Sequence, residues 1–164
     1  MALRTIRTEG DAVLEKICKP VKEITPRIRQ LIEDMLDTMY DASGVGLAAP
    51  QVGVLRRIAV IDVSEDNSQP VILINPEVIE RSGEQTGEEG CLSVPGMSGQ
   101  VTRPDHVKVR SLDMDLNEVF YEGDGLLARA FCHEIDHLDG KLYTRLVEGD
   151  LHKVTYDEEE EEEE

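Results

Sequence analysis

Tryptophan is absent from this 164-residue chain, and aromatic residues make up only 4% of it. A core must therefore be assembled from Leu, Ile, Val, Ala and Met, which is ordinary for a globular enzyme. No stretch approaches the roughly 20 apolar residues of a membrane span, and the opening MALRTIRTEGDAV lacks the continuous apolar segment of a secretory signal. A cytoplasmic protein without membrane contact is the expectation. Cysteine is scarce as well: Cys18, Cys91 and Cys132 are too few and too irregularly spaced for a disulfide framework, which leaves each as a buried thiol, a ligand or a nucleophile. Positive charge is the last shortage. Seventeen Lys and Arg face 35 Asp and Glu, for a net charge of −18, and removing the eight acids of residues 157–164 still leaves 27 acids against 17 bases. Such a balance argues against direct nucleic-acid binding, which needs clustered cations to neutralise phosphates.

What is present fits one domain, residues 1–156. The acidic run 157–164 has like charges that repel and no apolar residue to dock, so disorder is expected there. The clearest helix lies in TPRIRQLIEDMLDTMYDASG. Thr25 can cap it, Pro26 suits its first position, and Ile28, Leu31, Ile32, Met35, Leu36 and Met39 fall on one face. RRIAVIDVS and PVILINPEVIE are β-branched runs that read as neighbouring strands, and DHVKVRSLD with NEVFYEG reads as a hairpin. A second long helix follows in DGLLARAFCHEIDHLDG, with Asp124 as its cap and Gly140 in the left-handed position that ends it. Leu126, Ala130, His133 and His137 share one stripe of that helix, beside an apolar stripe of Leu127, Phe131, Ile135 and Leu138.

His133 and His137 are one helical turn apart and can reach one cation, with Glu134 offset enough to take a proton from a water. Two histidines do not close a metal site. The longer protease pattern H-E-x-x-H-x-x-G-x-x-H matches through Gly140 and fails at Tyr143. Downstream, Glu148 and the acidic run make poor ligands, so the third ligand is sought upstream. GEEGCLSVPG offers Cys91, whose thiolate would complete a two-His, one-Cys set suited to zinc or ferrous iron. Taken alone, Cys91 reads as a small buried residue. GVGLAAPQVG formally fits G-x-G-x-x-A, but it follows a helix end and Pro50 would break any helix begun at Leu47, so a dinucleotide site is rejected in favour of a glycine-rich turn. Gln51 stands out there, a lone amide able to donate into a site.

In order and spacing, GVGLAAPQ, EGCLS and CHEIDHL together resemble the three motifs of the peptide deformylase family, and the likeness spans the chain from about the first helix to Tyr143. Cys132 stands where the family often has Gln. The resemblance implies an α+β fold, with antiparallel strands packed around a central HExxH-bearing helix and an outer N-terminal helix. It implies one divalent metal ion held by Cys91, His133 and His137, natively Fe2+, with Zn2+, Ni2+ or Co2+ as substitutes. It assigns Glu134 as general base and proton shuttle, and Gln51 with the backbone N–H of Leu92 as oxyanion donors. The implied substrates are N-formylmethionyl peptides and nascent chains, deformylated by a monomer in transient proximity to the ribosome. Gly44, Val45 and Gly46 would bond the peptide's main chain, and Val45, Leu92, Leu126, Ala130 and the stem of Arg129 would form the methionine pocket, with Glu89 and Gly90 beside it. Arg129 is expected to reach solvent or a carboxylate such as Glu89, and Arg103 to face the downstream end of the peptide or solvent. The rival readings are an HExxH metallopeptidase and a non-catalytic metal-binding protein.

Overall fold

The computed structural model describes residues 2–154; the expected disordered run 157–164 lies outside them. Helix α1 spans Pro26–Asp41, with the Thr25 hydroxyl accepting from the Ile28 N–H at 3.2 Å, so the predicted cap and start are both found. The glycine-rich segment after it is more ordered than a turn: strand β1 (Gly46–Ala48) runs into a 3-10 helix, Ala49–Val52. Strands β2 (Ile58–Ile61) and β3 (Val71–Ser82) form the expected neighbours. Strands β4 (Gln85–Cys91) and β5 (Val94–Arg103) follow, then the anticipated hairpin of β6 (His106–Leu112) and β7 (Glu118–Asp124). Helix α2 (Gly125–Leu138) and strand β8 (Glu148–Lys153) complete the order.

Five strands in the order β1-β2-β3-β6-β7 make one antiparallel sheet, and β4-β5-β8 make a second. The larger sheet is sandwiched between the helices, as its residue parity shows. Along β2, Ala59 and Ile61 enter the cluster that holds Phe131, Ile135 and Leu138 of α2, while Ile58 and Val60 enter the one that holds Leu31, Ile32, Met35 and Met39 of α1. Successive side chains of a strand point to opposite faces, so a continuous apolar run means both faces are covered. All four β2 residues are fully buried, each worth roughly 1.5–3 kcal/mol for the larger aliphatics.

Two ends of α2 behave differently from each other. Gly140 is left-handed, φ +75°, and a Cβ there would press on the Glu15 carbonyl at 2.6 Å, so glycine is required on two counts. Asp124 occupies the N-cap position, but its carboxylate makes no capping bond and contacts His106 Nδ1 across the β6–β7 pair instead. The expected side-chain cap is thus replaced by a cross-strand contact.

Candidate metal centre and active-site cleft

Helix α2 delivers His133 and His137 one turn apart, and the tight connection Leu92–Ser93 between the paired Cys91 and Val94 delivers Cys91 from the second sheet. Cys91 Sγ lies 3.3 Å from His137 Nε2, which is 3.2 Å from His133 Nε2, and all three donor atoms fall within 4.8 Å of one another. Among the described residues this is the one such convergence of His, Cys, Asp or Glu. Ligands at about 2.0–2.3 Å around a tetrahedral ion stand roughly 3.3–3.6 Å apart, so the set fits a single first-row divalent cation.

Its protonation pattern suits that use. His133 Nδ1 is 2.6 Å from Glu89 Oε2, which keeps a proton on Nδ1 and turns Nε2 to the site. Burial opposes a charge on the ring, but Glu134, Cys91 and Glu89 outweigh it and hold His133 well above the ordinary imidazole value, so a cation bound there would take the place of the Nε2 proton. Burial and the charge on the neighbouring His133 hold His137 well below the ordinary imidazole value, so His137 is neutral and keeps a lone pair for a cation. Glu134 is buried, with Oε1 lacking a hydrogen-bond partner among the described residues. Burial pushes its carboxyl up to about 7, against the pull of His133.

Glu89 is the hub behind the ligands. Its two oxygens accept from Arg103 Nε at 3.1 Å and Arg103 Nη2 at 2.7 Å, from Arg129 Nη1 at 2.8 Å, and from His133. Burial opposes its charge, but His133 and Arg103 outweigh burial and hold the carboxyl well below the usual range. Arg129 therefore meets the carboxylate anticipated for it. Arg103 is a correction: it neither faces a peptide nor solvent, because Glu89 and Asp136 (Nη1–Oδ2 2.7 Å) hold its buried guanidinium behind the site.

A cleft of about 550 Å³ opens over the donors. Gly44, Val45, Gly46, Gln51, Glu89, Gly90, Leu92, Leu126, Arg129 and Ala130 line it, as do Cys91, His133 and Glu134. Val45 and Leu126 are 43% and 52% exposed on its rim, apolar surface that a ligand can cover. Gly44 and Gly46 serve a purpose not foreseen: a Cβ on Gly44 would overlap Leu92, and one on Gly46 would overlap the Glu134 carboxylate. Gln51 is almost wholly buried; its Oε1 accepts from the Ala48 N–H at 2.9 Å, and its Nε2 faces Ser93 Oγ at 3.0 Å and Cys91 Sγ at 3.5 Å. Sequence reasoning missed Ser93, Asp136, Met97 and Val154, the last two on the cleft wall. Ser93 and Asp136 could have been suspected from their places beside Cys91 and His137; Val154 carries no local signal, since only the pairing of β8 with β5 brings it there. Cys132 sits one position before His133 but outside the cleft.

Comparison with known proteins accords with this arrangement. The family model for polypeptide deformylase matches residues 3–150. A peptide deformylase of Agathobacter rectalis is 65% identical over 157 residues, covering 96% of this chain and 98% of that protein. One from Lachnoclostridium phytofermentans is 64% identical over 163 residues, 99% of this chain and all of its own length. The crystal structure of a peptide deformylase from Legionella pneumophila superposes with a TM-score of 0.86 at 46% identity, covering 89% of this chain and 86% of that one. With the match running from residue 3 into β8, and with a cysteine and two histidines converging under a cleft, the chain belongs to the polypeptide deformylase family.

Proposed function

We propose that Cys91, His133 and His137 hold the catalytic metal ion of this deformylase, and that Glu134, Gln51 and Leu92 carry out the chemistry around it. The reaction is removal of the N-formyl group from the N-terminal methionine of nascent polypeptides. The observation that carries the assignment is the convergence of one Sγ and two Nε2 atoms beside a buried Glu134 whose Oε1 has no hydrogen-bond partner among the described residues. When bound, a divalent ion supplies Lewis acidity and a nucleophile at neutral pH.

The chain's own groups do the rest. Glu134 accepts the nucleophile's proton and returns it to the departing amine, a role its raised carboxyl value suits at neutral pH. The amide of Gln51, anchored by the Ala48 N–H and Ser93, aims its second Nε2 hydrogen at the Cys91 side of the site, where it can be shared with a developing oxyanion. The Leu92 N–H, in the connection next to Cys91, is the second donor. Gly44, Val45 and Gly46 bond the substrate main chain as an added strand, and the methionine side chain lies among Val45, Leu92, Leu126, Ala130 and the stem of Arg129, near Glu89 and Gly90. Helix α2 is the centre about which both sheets are organised, within a single domain. Fe2+ is the native ion, with Zn2+, Ni2+ and Co2+ accepted by the same set. The working form is a cytoplasmic monomer near the ribosome.

The test joins metal analysis of anaerobically purified protein to formate release from formyl-Met-Ala-Ser. One ion per chain, loss of formate release on chelation and recovery with Fe2+ are expected, while acetyl-Met-Ala-Ser is left intact. Formate release at an undiminished rate from metal-free protein would defeat the assignment, and cleavage of unformylated peptides would favour a metallopeptidase.

A further inference from the structure

Among the described residues, one groove is more spacious than the catalytic cleft. A depression of about 770 Å³ lies at the opposite end of α1, with Val21, Ile28, Leu31 and Val54 on its floor. Its rim reverses the charge of the chain: Arg4, Lys19, Lys22, Arg27 and Arg56 against the single acid Glu23, in a protein with twice as many acids as bases. Arg4 is turned to Asp34 at 3.0 Å, but Lys19, Lys22, Arg27 and Arg56 form no ion pair among the described residues. The first turn of α1 adds to the effect. It contains no acid, and Arg27 and Arg29 stand at the positive end of the helix dipole, the unfavourable sign for a cation. An anion in the groove would relieve both conditions.

The chain carries such an anion. Residues 157–164 are eight consecutive acids, three positions beyond Val154. Val154 and Ala42, the residue that caps the C-terminal end of α1, both line the catalytic cleft, whereas Thr25, which caps its other end, lines the groove. The helix between them is a ruler of about 24 Å, and the ten residues after Val154 can span up to about 35 Å, so about seven residues cover the distance and the last acids, Glu162 to Glu164, are the ones that reach the groove. We propose that the end of the acidic run 157–164 docks on the cationic groove of its own chain and masks it from other polyanions. A tether of this length gives an effective concentration on the order of millimolar, so a weak multi-charge contact suffices. RNA is the less suitable occupant: the groove offers no aromatic ring on which a base could stack, and the net charge of −18 opposes its approach.

Carbodiimide coupling in the full-length protein tests this. At low salt, amides are expected between Lys19 or Lys22 and the acids of 157–164 within one chain, as read by mass spectrometry on mixed isotope-labelled and unlabelled protein. They should fade in high salt and in the double variant Arg27→Glu, Arg56→Glu, which keeps both lysines. Coupling no more frequent at Lys19 and Lys22 than at exposed Lys141 would overturn the proposal, and couplings found only between chains would move the contact to a second copy. As a second measurement, a labelled peptide of residues 154–164 should bind a full-length variant with Asp157→Asn and Glu158→Gln through Glu164→Gln about tenfold more tightly than the native chain, whose groove is already occupied. Equal affinity for the two proteins would sink the masking idea. Tighter binding of octauridylate than of the peptide to the native chain would assign the groove to RNA phosphates instead.

Discussion

The two halves of the proposed metal centre are held in place by different forces. The histidines ride on α2, whose opposite side buries Phe131, Ile135 and Leu138 against the large sheet. Cys91 rides on a hairpin with a small apolar cluster of its own, Val94 and Val101 packed with Tyr143, and what ties that hairpin to α2 is charge: Glu89 of β4 gripped by Arg103 of β5 and by Arg129 and His133 of α2. Apolar packing tolerates small adjustments, because no single contact is worth much. A buried ion cluster does not, since removing one member strands the others in a medium that cannot solvate them. A centre built this way has one forgiving wall and one brittle wall.

Substitutions can break that contrast or sharpen it. The largest effect is expected for Cys91→Ala, which removes the only ligand on the brittle side: bound metal and formate release should both vanish, and full occupancy by elemental analysis would place the third ligand elsewhere. Glu134→Gln, on the forgiving side, should keep the metal and lose roughly 10²–10⁴-fold in kcat; parental turnover would show that Glu134 is not the base. Gln51→Leu should retain metal and slow the chemical step by about 10²–10³-fold, the usual loss for one oxyanion donor, whereas an unchanged kcat with a raised KM would reassign the amide to substrate binding. Smaller still, and the sharpest test of the contrast, is a pair. Glu89→Gln should cost about 3–5 kcal/mol in urea unfolding and weaken metal affinity by about 10–100-fold. Ile135→Val should cost only about 0.5–1.5 kcal/mol and leave metal affinity where it was. Equal metal affinities in the two variants would mean that the ion cluster does not orient His133.

The same contrast explains what could be read from the chain in advance. Apolar patterning announces itself: α1, α2 and the β6–β7 hairpin were legible because their residues repeat at 3.6 or 2 positions, and β2 and β3 because they are unbroken β-branched runs. The second sheet was not. QTGEEGC and VPGMSGQVTR carry glycines and polar residues without alternation, and they become strands through pairing with each other and with β8. The Cys91, His133 and His137 set was legible as motifs whose convergence the structure then displays. Arg103 was not, since a strand arginine next to a proline gives no hint that two carboxylates from distant positions enclose it. Gly44 and Gly46 were noticed for a different reason from the one that the packing reveals.

That packing bears on escape from inhibition. A compound that grips the cleft through the backbone at Gly46 would lean on a wall that point mutation cannot usefully reshape, because any replacement there adds a carbon where the Glu134 carboxylate stands, whereas one at Gly44 meets only the movable end of Leu92. The change at Gly46 would injure the enzyme before it injured the compound. Resistance would have to arise where side chains face open space, as at Val45 and Leu126 on the rim, so a compound that makes few contacts there leaves the fewest routes of escape.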